Sequence, residues 1–140
     1  MLKLSEEERA LIRKLIYDVE EALSVLEHYV KAGIGGLSDA YAVRYALIQI
    51  VESLATVASR MAETYGTVVE GYVEAMRFLV RINIVKPELG EKLVRLARLR
   101  NLLVHRYWVV DDSRVLKEAR ENGVETVREV LRNIRRLIEE

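Results

Sequence analysis

Chemistry in this chain is concentrated in the run Arg100-Asn101-Leu102-Leu103-Val104-His105-Arg106-Tyr107, followed at once by Trp108-Val109-Val110-Asp111. His105 is one of only two histidines among 140 residues. Imidazole has a reference pKa of about 6.5, so it can accept or donate a proton near neutrality. A guanidinium grips phosphate with charge-assisted hydrogen bonds. RNA carries its own nucleophile, the 2′-hydroxyl, so cutting it requires proton transfer and stabilisation of developing charge, without obligatory help from a metal. On that chemistry His105 fits proton transfer and Arg100 fits holding a phosphate. Asn101 and Arg106 are candidates for substrate contact. The Tyr107 hydroxyl is a group that could be modified.

A plainer account of the same residues exists. An Arg-x-x-x-x-His spacing by itself is common in a chain with 16 arginines. A histidine in the last turn of a helix satisfies free carbonyls and favours the helix dipole. Arg100 could simply pair with a carboxylate, Glu52 being one choice, and Tyr107 with Trp108 could be packing. The other histidine, His28, stands beside Glu27 with no partner motif and is expected on the surface.

Helical phase decides what the segment can bring together. At 100° per residue, Arg100 and His105 point about 140° apart, whereas Arg100 and Tyr107 fall within about 20° of each other if the helix continues. Convergence of Arg100 and His105 therefore needs the helix to end or distort near His105, or a second subunit to complete the site. Asp111-Asp112 makes an end near Trp108 reasonable. Between Glu91 and Asp111 lie Lys92, Arg95, Arg98, Arg100 and Arg106 with no acidic residue, a locally basic stretch suited to phosphate. For Lys92, Arg95 and Arg98, pairing with acids on other helices is the equal alternative.

The elements that must position these residues are all helical. Ser5 with Glu8 forms a capping box and Gly33 supplies a stop, enclosing Ile12, Leu15, Ile16, Val19, Leu23, Leu26 and Val30 at helical spacing. After Gly33-Ile34-Gly35-Gly36, Ser38 or Asp39 is expected to cap a second helix running to about Tyr65. From Ala42 to Ala62 fourteen of 21 residues are apolar, so this helix must be covered on more than one side. Either it is the innermost helix of a monomer or it forms a homodimer interface, and the excess favours the homodimer. Thr67 with Glu70 offers another capping box, opening a helix through about Ile82. Pro87 fits the first turn of the motif helix. Asp112 or Ser113 can cap a short segment ending at Asn122-Gly123, and a last helix follows with Val124, Val127, Leu131, Ile134 and Ile138 on one stripe. Its basic residues Arg128, Arg132, Arg135 and Arg136 are diluted by Glu125 and Glu129 and read as a solvated face.

The expected fold is thus an all-α bundle of about five helices, with residues 1–140 as one domain. Zero formal net charge argues against a general nucleic-acid coat. No cysteine is present, which removes disulfides and thiol chemistry. No apolar run reaches the length needed to cross a bilayer, and no signal-peptide pattern opens the chain, so a cytoplasmic protein without a membrane partner is expected. No metal and no cofactor are expected: Glu-x-x-His does not occur, and Gly33 to Gly36 lacks the lysine and the preceding strand of a P-loop.

The whole string, Arg-Asn, two apolar residues, His-x-Tyr, an aromatic and Val-Asp, resembles the HEPN superfamily and within it the HepT-like toxins with their Arg-x4-His-x-Tyr motif. The resemblance covers most of the chain, because the order of helices around Pro87 and the motif also follows the longer HepT-like proteins. It implies a HEPN-like fold and a dimeric, metal-independent endoribonuclease. It further implies a toxin–antitoxin pair, in which a minimal nucleotidyltransferase inhibits the toxin by transferring AMP to the motif tyrosine, here Tyr107. Arg100 and His105 take the catalytic places in that comparison. The alternative from another class is a non-catalytic HEPN-like module that binds a nucleotide or a protein.

Overall fold

A computed structural model describes residues 3–139. The chain forms α1 (Glu6–Ala32), α2 (Leu37–Thr64), α3 (Tyr72–Arg81), α4 (Pro87–His105), a 3₁₀ turn (Tyr107–Val109), α5 (Asp112–Glu118), a π-helical turn (Ala119–Gly123) and α6 (Val124–Glu139). Because α5, the π turn and α6 follow without a break, the bundle consists of five helical rods, and no strand occurs among the described residues.

Local signals set several boundaries as expected. Ser5 and Glu8 form the reciprocal capping box, with both bonds at 3.1 Å. That bonding, and a further hydrogen bond from Thr64 on α2, holds the Glu8 carboxyl below its usual range. Gly33 ends α1 at φ 82° and donates its N–H to Tyr29 O, a conformation that only glycine adopts without strain. Pro87 occupies the first turn of α4.

Other boundaries depart from the sequence reading. Neither Ser38 nor Asp39 is the N-cap of α2. Gly36 holds that position, and Asp39 reaches back from inside the first turn to accept the Gly35 N–H at 2.7 Å. The Thr67–Glu70 capping box does not form. Thr67 N–H closes onto Ala62 O, Glu70 N–H is taken by Glu74 Oε2, and α3 begins five residues later than Thr67 behind Gly71 at φ 83°. At the start of α5 the cap is Asp111, which accepts the Ser113 N–H at 3.0 Å. Asp112 is engaged elsewhere, taking Arg44 of α2 in a two-point pair at 2.7 and 2.8 Å. Asn122-Gly123 does not stop the rod. The π turn carries the chain through, and Gly123 lies where a Cβ would meet Ala119 and Leu26.

The core explains why α2 is so apolar. Ten of the fourteen apolar residues between Ala42 and Ala62 are buried within a single chain, the exceptions being Ala42, Tyr45, Ile48 and Ala55. α2 packs against α1, α3, α4 and α5, so it is the central helix of the bundle. The apolar excess is therefore accounted for by the monomer, and it no longer argues for a dimer. Each fully covered side chain such as Leu47, Ile50, Leu54 or Met61 contributes about 1.5–3 kcal/mol. Toward solvent α2 still exposes Leu37, Tyr41 and Tyr45.

Two contacts fix where α4 sits. Arg100 of α4 meets Glu52, and Asp112 meets Arg44, eight residues earlier on α2. The segment from Arg100 to Asp112 therefore runs antiparallel to α2. At the other end of α4, Gly90 allows close approach to α3, because a methyl there would overlap Val80 Cγ2. Val80 is stiff at χ1 and cannot swing aside. Gly90→Ala is accordingly expected to destabilise the protein by about 1–3 kcal/mol through overpacking, despite alanine's better helix propensity. Urea unfolding should show a lower midpoint at unchanged slope. A raised midpoint would mean that α3 and α4 separate at no cost.

Candidate active site at the end of α4

α4 remains helical up to His105, so the phase difference computed for a regular helix applies to its two chemical side chains. Arg100 lies on the inward face with Leu93, Leu96, Ala97 and Leu103, all buried. His105 is the last helical residue and is exposed. Arg106, at φ −136° and ψ 42°, turns the chain out of the helix while its N–H still bonds Leu102 O at 2.9 Å. Among the described residues no hydrogen bond joins Arg100 to His105.

Arg100 is held on three sides. Its Nε and Nη2 both donate to Glu52 Oε2, at 3.2 and 2.7 Å, and its Nη1 donates to Asn101 Oδ1 at 3.2 Å. The Tyr72 ring of α3 covers the guanidinium, with Cζ 4.0 Å from the ring centroid. The Arg100 side chain is 11% exposed and that of Glu52 is 43% exposed. Glu52 is thus the carboxylate that pairs with Arg100, as the sequence allowed. Tyr72 was not legible, because nothing in its local sequence marks it as an arginine's neighbour. Asn101 turns toward the arginine beside it rather than to a backbone group.

Beyond His105 the chain forms the 3₁₀ turn, with Val109 N–H bonded to Arg106 O at 3.0 Å. Ending the helix here removes Tyr107 from the buried line of Leu96 and Leu103. Tyr107 is 60% exposed and Trp108 67%, their rings meeting edge to face at 5.4 Å. The tyrosine hydroxyl is therefore carried on a solvent-facing turn beside Arg106.

The basic residues earlier on α4 divide between the two expectations. Arg95 pairs with Glu118 of α5 at 2.9 and 3.0 Å, and its hydrogen bonds hold the Glu118 carboxyl below the usual carboxylate range. Lys92 and Arg98 are exposed and form no ion pair among the described residues. Arg98, Leu102, Val110 and Arg114 line a groove of about 390 Å³ that runs back from the motif turn. A second groove of about 550 Å³ between α2 and the start of α3 is lined by Glu52, Thr56, Arg60 and Tyr72, so it opens on the partners of Arg100. The arginines of α6 are partly engaged: Arg128 pairs with Glu27 and Glu125, and Arg135 with Glu20. His28 is exposed, as expected. Among the described residues no three His, Asp or Glu side chains gather as metal ligands, and no helix is long and apolar enough to cross a membrane.

Several known proteins resemble this chain in sequence or in fold. A protein of Archaeoglobus fulgidus named "Putative RNase" is 34% identical over 110 residues, which cover 79% of this chain and 80% of that protein. A crystal structure of a toxin–antitoxin complex with AMP-PNP superposes at a TM-score of 0.80, with 14% identity, over 91% of this chain and 98% of its own. A tri-AMPylated HEPN toxin of Shewanella oneidensis in complex with MNT antitoxin superposes at 0.67, with 14% identity, over 95% and 99%. A cytosolic protein of unknown function from Bacillus subtilis, YutE, superposes at 0.68, with 18% identity, over 86% and 88%. At these identities the structural likeness shows the fold, an all-α HEPN bundle. The family described as Ribonuclease HepT-like matches residues 19–134, a span that contains α2, α4 and the whole Arg100–Tyr107 motif. The chain belongs to the HepT-like ribonuclease family.

Proposed function

We propose that the protein is an endoribonuclease that cleaves RNA without a metal ion and serves as the toxin of a toxin–antitoxin pair. The observation that carries this reading is the end of α4. There the exposed imidazole of His105, Arg106 and the Tyr107 hydroxyl stand on one solvent-facing turn, one helical turn beyond an arginine already held in place. His105 transfers protons between the 2′-hydroxyl, the leaving 5′-oxygen and water. Arg100 holds the scissile phosphate and stabilises the charge that develops on it. Asn101 fixes Arg100, and Arg106 adds a second cationic contact for the strand.

One copy of the chain points Arg100 and His105 to different sides of α4, so the working unit is a homodimer in which the arginine of one subunit serves with the histidine of the other. Support comes from the exposed Leu37, Tyr41 and Tyr45, which recur every fourth residue along the first turns of α2. Aromatic side chains left on the surface in such a band are characteristic of buried interfaces. The partner of the pair is a minimal nucleotidyltransferase that transfers AMP to Tyr107, in keeping with the HEPN toxin–MNT antitoxin complexes that share the fold. Residues 1–140 act as one domain in this scheme, inside the cytoplasm.

The direct test is to incubate the purified protein, free of antitoxin and of any modification, with several RNAs in EDTA. Cleavage is expected. Intact RNA would leave the non-catalytic HEPN-like module, binding a nucleotide or a protein partner, as the better reading.

A further inference from the structure

Among the described residues Arg100 is the one charged side chain that the fold buries, and its surroundings specify more than burial. A guanidinium carries five N–H donors in a rigid plane. Glu52 Oε2 takes two of them, along the edge formed by Nε and Nη2, and Asn101 Oδ1 takes one from Nη1. One N–H on each Nη remains. Two such donors on neighbouring nitrogens can meet the two non-bridging oxygens of a phosphodiester. Tyr72 lies over the guanidinium, with Cζ 4.0 Å from the ring centroid, and restricts its tilt.

Building on the nuclease reading proposed above, we infer that Glu52 is the positioning residue for Arg100: by claiming one edge of the guanidinium with a single oxygen, it leaves the remaining two N–H groups as a preset fork for the scissile phosphate. The alternative is that Glu52 sequesters the arginine and must leave before RNA can bind. Geometry favours positioning. Glu52 occupies only one edge, its Oε1 makes no hydrogen bond among the described residues, and Glu52 itself lines the groove between α2 and α3. An arginine fixed before substrate arrives does not lose its rotamer freedom in the reaction itself. The negative charge of Glu52 also faces the phosphate, so it opposes binding while it sets geometry. Removing Glu52 should therefore lower turnover without weakening affinity, which a merely structural carboxylate would not produce.

Three proteins test this: wild type, Glu52→Gln and Glu52→Ala, with cleavage of a short fluorescein-labelled single-stranded RNA scaled to the folded fraction. Misplacing a binding group by about 1 Å can cost about 10²-fold. We expect kcat to fall about 10- to 100-fold in Glu52→Ala and less in Glu52→Gln, whose amide oxygen still accepts from Arg100. RNA affinity, measured in a His105→Ala background that cannot cut, should be unchanged or tighter in both. An unchanged or raised kcat in Glu52→Ala would establish sequestration and overturn the inference, as would affinity falling in step with turnover. A second measurement does not depend on cleavage. The Arg100 guanidinium N–H signals should be resolved by NMR in the wild type and broaden in Glu52→Ala, and less in Glu52→Gln, at unchanged fold. Equally sharp signals would overturn the inference. If wild type leaves RNA intact while the NMR result holds, the nuclease reading fails and the positioning of Arg100 stands.

Discussion

His105→Ala is expected to lower RNA cleavage by about 10²–10⁴-fold, the usual worth of a positioned proton-transfer group, with the helical circular dichroism unchanged. The fold gives the reason for the second half of that statement. His105 ends α4 and is exposed, so its truncation removes no packing. Arg100→Ala should abolish cleavage equally, but it is not neutral for stability. It takes away a buried cation that bonds Glu52 and Asn101 and underlies Tyr72. Charge-assisted bonds of this kind contribute about 1.5–3 kcal/mol each, discounted here because Glu52 regains water on release. The expected phenotype is a lower melting temperature together with lost activity, and the two must be measured side by side.

Mixing the two inactive variants reports how the site is assembled. With random exchange, half of the dimers carry one defect of each kind. If each site joins Arg100 of one subunit to His105 of the other, every such dimer retains one intact site, and the mixture recovers about a quarter of wild-type activity, as two-fold symmetry requires. If both residues of a site come from the same chain, each mixed dimer has two broken sites and nothing is recovered. A sedimentation mass of 16.1 kDa rather than twice that value at micromolar concentration would remove the dimer altogether.

Adenylylation of Tyr107 is expected to silence cleavage completely and without refolding. The side chain is 60% exposed on a 3₁₀ turn directly after His105 and Arg106, so an AMP group can be added with no rearrangement of the core. Its phosphodiester would place a negative charge beside cations that otherwise meet RNA, and its adenine would cover the approach. Intact-mass spectrometry after incubation with the cognate nucleotidyltransferase, ATP and Mg²⁺ provides the measurement. Tyr107→Phe should remain active, gain no adenylate at this position and escape inhibition. Equal labelling and equal inhibition of Tyr107→Phe would place the regulatory modification on another tyrosine, with the exposed Tyr41 and Tyr45 next to be tested.

Several boundaries were legible because one residue's own neighbours along the chain supply its partners. The Ser5–Glu8 box, the Gly33 stop and Pro87 opening the motif helix are interactions over three or four residues, and each stands as read. Helical phase, another local quantity, put Arg100 and His105 on different sides of α4. Local chemistry failed where another group made a competing offer. Asp112 could have capped α5, yet the bidentate pair with Arg44 on α2 claims it and Asp111 takes the cap. Asn122-Gly123 reads as a stop, but packing of the small residues Ala119 and Gly123 near Leu26 of α1 keeps the rod continuous through a π turn. Thr67 and Glu70 had the right spacing for a cap, and the turn after Gly66 spends their backbone groups on Ala62 and Glu74 instead.

The same division runs through the site. Residue types and spacing in the Arg100–Tyr107 run suggested the chemistry proposed for it, because proton transfer and phosphate binding are capacities of the side chains themselves. Which carboxylate meets Arg100, that Tyr72 covers it, and that Tyr107 leaves the buried line once the helix stops were decided only by tertiary structure. Glu52, Tyr72 and Arg100 lie on three different helices, and the backbone must be packed before their side chains share one position in space. α2 shows the limit from the other side. Its composition required a helix covered nearly all round, but composition counts apolar residues without saying which chain covers them, and here the monomer's own helices cover most of them.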